Sequence, residues 1–180
     1  MTSTTPWARR TQCSGVAAAG LGGVHLAAIA AAALAIGVLI YLSDRDAARV
    51  LLMPTLPTWT GGPRFGVLGL WLPSFLHTFA FSLFTVALLP RHTRWRVGAC
   101  LAWGGVNVLF EIGQHPQLSG PLAQLLQSGL GEGRVSAALA GYFLRGTFDL
   151  GDIAAAVLGA VAAMALMRLR LNILETPHAR

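Results

Sequence analysis

The sequence predicts an all-α, polytopic membrane protein, and three observations carry that prediction. Only 11% of its 180 residues are charged while 54% are hydrophobic, with a mean hydropathy of +0.61; soluble domains carry roughly 25% charged residues. Four apolar runs are long enough, at about 20 residues each, to cross the hydrocarbon core as helices. The cationic residues, thirteen arginines with no lysine, sit mostly in short segments flanking those runs. A formal charge of +6 could also suggest nucleic acid, but that function needs a basic face on a soluble module, so no nucleic-acid partner is expected. The arginines read instead as topology-setting charge.

Residues 1–14 are polar and basic and are expected to form a disordered tail. The run 15–42 contains no formal charge and exceeds the usual signal-peptide core, so it is expected to be retained as a first helix with a span at 23–42. His25, near its start, reads as an interfacial or packed histidine. The segment 43–64 holds Asp44, Arg45, Asp46, Arg49 and Arg64 among prolines and glycines. Within it, Val50–Trp59 is apolar but broken by proline, and is expected to lie in the interface. The second span is expected at 65–89, with Pro73 about two turns in. The connection 90–96 packs Arg91, Arg94 and Arg96 with His92 into a tight hairpin, and the third span follows at 95–112. Pro116 stops that helix, because the residue before a proline is biased away from helical backbone.

Between Gln117 and Arg145 the polarity is intermediate. Leu122, Leu125, Leu126 and Leu130 recur at helical spacing, which predicts a short amphipathic interfacial helix broken by Gly129, Gly131 and Gly133. Ser136–Leu144 is too short to span and reads as a re-entrant or interfacial turn. The fourth span is expected at 149–171 and a short tail at 173–180, so that 15–172 forms one membrane domain. Arginine counts set the orientation. With both termini cytoplasmic, eight arginines fall inside (9, 10, 91, 94, 96, 168, 170 and 180) against five outside (45, 49, 64, 134 and 145).

That orientation brings polar side chains to the outer helix ends. Glu111 and Gln114 close the third helix, and Asp149 and Asp152 open the fourth; an offset of three residues places each pair on one helix face. Arg145 sits one turn before Asp149, within reach of carboxylates. His77 lies about eleven residues into the second span, roughly 16 Å deep at 1.5 Å per residue. An ionisable residue at that depth usually faces a cavity or another helix. Asp149 and Asp152 also read as N-terminal caps of the fourth helix, and Glu111 with Arg145 as an ion pair. There is no GxSxG or HExxH motif. Glu111-x-x-x-His115 is the nearest approach to a metal pair, and neither a metal nor a cofactor is expected. Cys100 reads as a small core residue.

A histidine-aromatic segment (His77-Thr78-Phe79-Ala80-Phe81), then Glu111-x-x-Gln114, then Arg145 followed by Phe148-Asp149-x-x-Asp152 and Gly159, resembles the VanZ-like membrane proteins over roughly Leu72–Met164. Two departures stand out: Pro73 and Ser74 occupy positions where the family often has an acid and a base, and Ala156 one where it often has asparagine. The resemblance implies a bacterial protein of the cytoplasmic membrane and an association with glycopeptide (teicoplanin) resistance, and it supplies no mechanism. Three functions are expected from these readings. In the first, an outward-facing pocket binds or acts on an envelope component, such as an anionic lipid or an envelope precursor. Gln114, Asp149 and Asp152 would then be binding groups, Arg145 would hold a phosphate, and His77 and Glu111 would be the candidate catalytic pair. The second is an acid/base hydrolase or transferase using His77 and Glu111. The third is a structural subunit or homo-oligomer pairing through Ala155, Gly159 and Ala163.

Overall fold

The computed structural model describes residues 10–44, 64–90, 92–131 and 133–175. They form six helices: α1 (Arg10–Asp44), α2 (Gly66–Leu88), α3 (Thr93–Gly113), α4 (Pro116–Leu130), α5 (Arg134–Arg145) and α6 (Leu150–Glu175), with no strand among the described residues. Helix α1 already begins inside the segment expected as a tail. The interfacial reading of Val50–Trp59 lies outside the described residues. Among the described residues, three stretches are long and apolar enough to cross a bilayer: Gly22–Asp44, Gly66–Leu88 and Leu150–Leu169. Helix α3 is as long, but Arg94, Arg96, Asn107, Glu111 and two central glycines lower its hydropathy.

Helix α2 is the hub, with α1, α3 and α6 packed around it. Its register is set where small residues let backbones approach. Gly23 of α1 sits against the Ala87 carbonyl, and Gly37 against Leu76, so α1 and α2 run antiparallel. Gly159 of α6 faces the Phe75 carbonyl, where an added Cβ would lie 2.5 Å from the oxygen, while Gly151 lies against Trp71. Both positions advance together, which makes α2 and α6 parallel. Gly104 of α3 abuts Ala160, and α3 runs antiparallel to both. The small-residue face Ala155, Gly159 and Ala163 is therefore buried inside the chain itself. Entry into α2 is capped by another helix. The Asp44 carboxylate accepts from the Arg64 and Phe65 amides, at 2.8 Å for Arg64, and lies over Gly69 at the positive end of the α2 dipole.

The bundle is chemically two-ended. Leu26, Ala30, Ala33, Leu83, Val86, Cys100, Ala163 and Met167 form the apolar core around the end of α2 and the start of α3. At the α2–α3 connection, Arg96 donates from Nε to Pro90 O and from Nη2 to Leu89 O, satisfying carbonyls at the α2 C-terminus. Large apolar side chains remain exposed on the outside of the three long apolar helices, among them Ile36, Leu39, Leu68, Leu70, Leu158 and Val161. Such a surface is stable against lipid.

The amphipathic helix expected on Leu122–Leu130 is present as α4, and with α5 it forms a helical hairpin across Gln117–Arg145. Pro116 occupies the first turn of α4 and His115 caps it, its Nδ1 accepting from the Gln117 amide at 3.3 Å. Gly129 does not break α4, since an exposed glycine costs only about 1 kcal/mol in a helix. The helix stops at Gly131, whose φ of +74° belongs to the region that favours glycine. Ser136 then ties the start of α5, donating to Gly131 O at 2.6 Å and accepting from Gly133 N at 3.0 Å. The stretch Ser136–Leu144, expected as a turn, is thus most of α5. Phe143 of α5 and Leu122 of α4 seat the hairpin on Gly113 at the end of α3.

Candidate functional site

The polar end gathers the residues that the apolar end cannot hold. A cavity of about 660 Å³ lies there, within the size range of small-molecule sites. Each wall has a local origin. Helix α2 supplies Pro73, Ser74 and His77 from one face. Helix α3 supplies Asn107 and Glu111, and its C-terminal capping residue Gln114 follows, at offsets of four and three residues and hence in one stripe. Tyr41 comes from the last turn of α1, and Tyr142 and Arg145 from the last turn of α5. Gly146 and Thr147 come from the link to α6, and Asp152 from its first turn. The stack of His77 on Phe81, and of Phe81 on Trp103 at 4.9 Å, connects the cavity to the apolar core.

The bonds assign several roles. His77 Nδ1 lies 3.1 Å from the Pro73 carbonyl. A carbonyl can only accept, so Nδ1 carries the proton, and in the neutral ring Nε2 keeps its lone pair. Asn107 donates from Nδ2 to the Trp103 carbonyl at 2.9 Å, which leaves Oδ1 as an acceptor by the same logic. Ser74 donates to Asp152 Oδ1 at 2.5 Å. Glu111 is buried, and its Oε1 accepts from the Asp149 amide at 2.6 Å, joining α3 to the start of α6. Buried Gln114 lies against Gly146, where an added Cβ would collide with its amide group.

Tyr142, on α5, responds to this environment. Its phenol is pushed above the ordinary 10.0 chiefly by burial, then by the negative charge of Glu111, with smaller contributions from Tyr41 and Asp152; the hydrogen bond with Gln114 works in the opposite direction.

Five of the six residues singled out from the sequence, His77, Glu111, Gln114, Arg145 and Asp152, line this one cavity. Asp149 does not. It precedes the first residue of α6 and caps it, Oδ1 accepting from the Gly151 amide at 2.8 Å, while Oδ2 accepts from Trp71 Nε1 at 3.0 Å. Arg145 is exposed at the cavity edge and its Nε donates to Gly141 O, one turn back on its own helix. His115 is edge-on to Phe148 and caps α4, away from the cavity lining. Among the described residues no three His, Cys, Asp or Glu side chains gather into a metal-ligand set. Tyr41, Ser74, Asn107, Tyr142 and Thr147 join the lining without having been singled out. Spacing alone offered Ser74, one turn before His77, and Asn107, one turn before Glu111. A second, more open hollow of about 520 Å³ between α4 and α5 is lined by Gln124, Gln127, Ser128 and Ser136, with no ionisable group among the described residues.

These features define a class: a multi-pass helical membrane protein with a polar cavity among its helix ends. No family model, no curated protein and no solved structure matches the chain.

Proposed function

We propose that the chain is a VanZ-like protein of the cytoplasmic (inner) membrane. On this reading it has four spans, both termini cytoplasmic, and an outward-facing cavity that binds or acts on an envelope component. The observation that carries it is the convergence of His77, Glu111, Gln114, Arg145 and Asp152 on one cavity, since ionisable groups beside hydrocarbon are expensive unless they do work. Helix α3 supplies the fourth span. Its 21 residues rise about 31 Å, and it packs against both α2 and α6. Arg94 and Arg96 stand at its cytoplasmic end and Glu111 at its outer end. Arg145 at the cavity edge holds a phosphate as a charge-assisted hydrogen-bond donor.

A second reading, an acid/base hydrolase or transferase, is favoured by one observation: the Nδ1–H bond to Pro73 O leaves His77 Nε2 basic in a cavity shared with two carboxylates. Binding of a short-chain phosphatidic acid to the purified full chain in detergent tests the first reading. Saturable binding weakened by R145A is expected, and no binding by any phosphate-bearing amphiphile would refute it. If His77→Ala and Glu111→Gln leave binding intact but abolish an envelope phenotype while the protein still accumulates, the enzyme reading takes over.

A further inference from the structure

We propose that the cavity selects a zwitterionic lipid head group, with a primary ammonium inside among Glu111, Asp152, His77 and Asn107 and the phosphate at Arg145. This deepens the envelope-binding reading and rests on it. The argument is an inventory of donors and acceptors. Inside the cavity the donors of two side chains are already taken, His77 Nδ1–H by Pro73 O and the Ser74 hydroxyl proton by Asp152, and one of the two Asn107 Nδ2–H groups is taken by Trp103 O. What these groups present is lone pairs, on His77 Nε2 and Asn107 Oδ1, beside the negative charge of Glu111 and Asp152. An anion entering that interior meets like charge and acceptors; an ammonium, with three donors and no acceptor, meets complementary ones.

The exposed edge has the opposite character. Arg145 and Thr147 line the cavity and are exposed, and both bring donors suited to phosphate oxygens. Donors at the edge and acceptors inside match a head group whose phosphate precedes its amine outward from the acyl chains. The raised phenol of Tyr142 fits the same negative interior. A lipid is favoured over a soluble amine because the cavity lies among the ends of helices whose outer surfaces are apolar.

The test is a ligand series on the unmodified full chain in detergent, read by ligand-induced change in melting temperature and by native mass spectrometry. The probes are dihexanoyl phosphatidylethanolamine, its N-acetyl derivative, dihexanoyl phosphatidic acid and water-soluble phosphoethanolamine. Phosphatidylethanolamine is expected to bind about tenfold or more tightly than the N-acetyl derivative or phosphatidic acid, with phosphoethanolamine weaker still. E111Q is expected to erase the preference for the amine, whereas R145A weakens phosphatidylethanolamine and phosphatidic acid alike. Equal binding of phosphatidic acid and phosphatidylethanolamine overturns the ammonium assignment while leaving the phosphate-binding reading intact. Equal binding of phosphoethanolamine overturns the assignment to a lipid. Binding of none of the four removes both this inference and the function it rests on.

Discussion

Gly159→Ala tests how α6 is held against α2, and therefore how the cavity is closed. The new Cβ would stand 2.5 Å from the Phe75 carbonyl oxygen and 3.2 Å from the Phe79 amide nitrogen. Backbone atoms cannot swing aside, so the helices must part by about 0.9 Å to reach an ordinary contact of 3.4 Å. A gap of 0.5–1 Å forfeits roughly a quarter to a half of each affected dispersion contact, and overpacking of this kind costs about 1–3 kcal/mol. Alanine's helix propensity returns about 1 kcal/mol, leaving a net loss of about 0–2 kcal/mol. The matched control is Gly105→Ala on α3, where nothing lies within 4 Å of the added carbon; it should be neutral or stabilising by up to about 1 kcal/mol. Unfolding of both variants in detergent, followed by tryptophan fluorescence, makes the comparison. The parted helices should also loosen the Ser74–Asp152 and Trp71–Asp149 bonds, visible as a red-shifted, more quenchable tryptophan emission. If Gly159→Ala is as stable as Gly105→Ala, the proposed α2–α6 contact is wrong.

Other expected outcomes follow from single bonds. Asp149→Ala should lose about 1–2 kcal/mol, as other N-cap replacements do, while Asp149→Asn should retain most of the stability because asparagine caps equally well; thermal unfolding separates them. Tyr142 should titrate above 10.0 in a near-ultraviolet absorbance titration, and Glu111→Gln should lower its midpoint by removing the neighbouring charge. Because the folded value is raised, the neutral phenol's stabilisation is complete below the unfolded value and is lost as pH rises through the folded one. Tyr142→Phe should therefore flatten stability against pH in that alkaline window. Asp44→Ala removes the acceptor for two amides at the entry of α2 and should cost about 1–3 kcal/mol, whereas Ser43→Ala, whose hydroxyl bonds its own helix at Leu39 O, should cost little; chemical denaturation of the two variants checks this.

Much of the architecture was legible in the residues because it follows from local rules. The charge deficit and the apolar runs gave the membrane class and the three long apolar helices within a few residues of their bounds. Pro116 gave the end of α3, and its missing amide also made it a good first residue for α4. An offset of three residues correctly placed Glu111 and Gln114 on one face, because both lie on or immediately beside α3. The same rule placed Asp149 and Asp152 on one face, and both carboxylates do turn to α2, bonding Trp71 and Ser74, themselves three residues apart. It did not show that Asp149, as the cap of α6, stays outside the cavity lining. The α4–α5 hairpin was under-read because glycine-rich segments look like breaks, whereas only Gly131 adopts a conformation that ends the helix.

The sequence by itself determined which segments prefer hydrocarbon and which helix faces carry acids, since hydropathy and helical periodicity act over neighbouring residues. Only the tertiary structure decided that Tyr41, His77, Glu111, Tyr142 and Asp152, drawn from five helices, share one cavity. That outcome depends on where backbones can touch, at Gly37, Gly104, Gly151 and Gly159. A glycine in an apolar run permits a close approach, but which partner fills it is settled by the packing of the whole bundle.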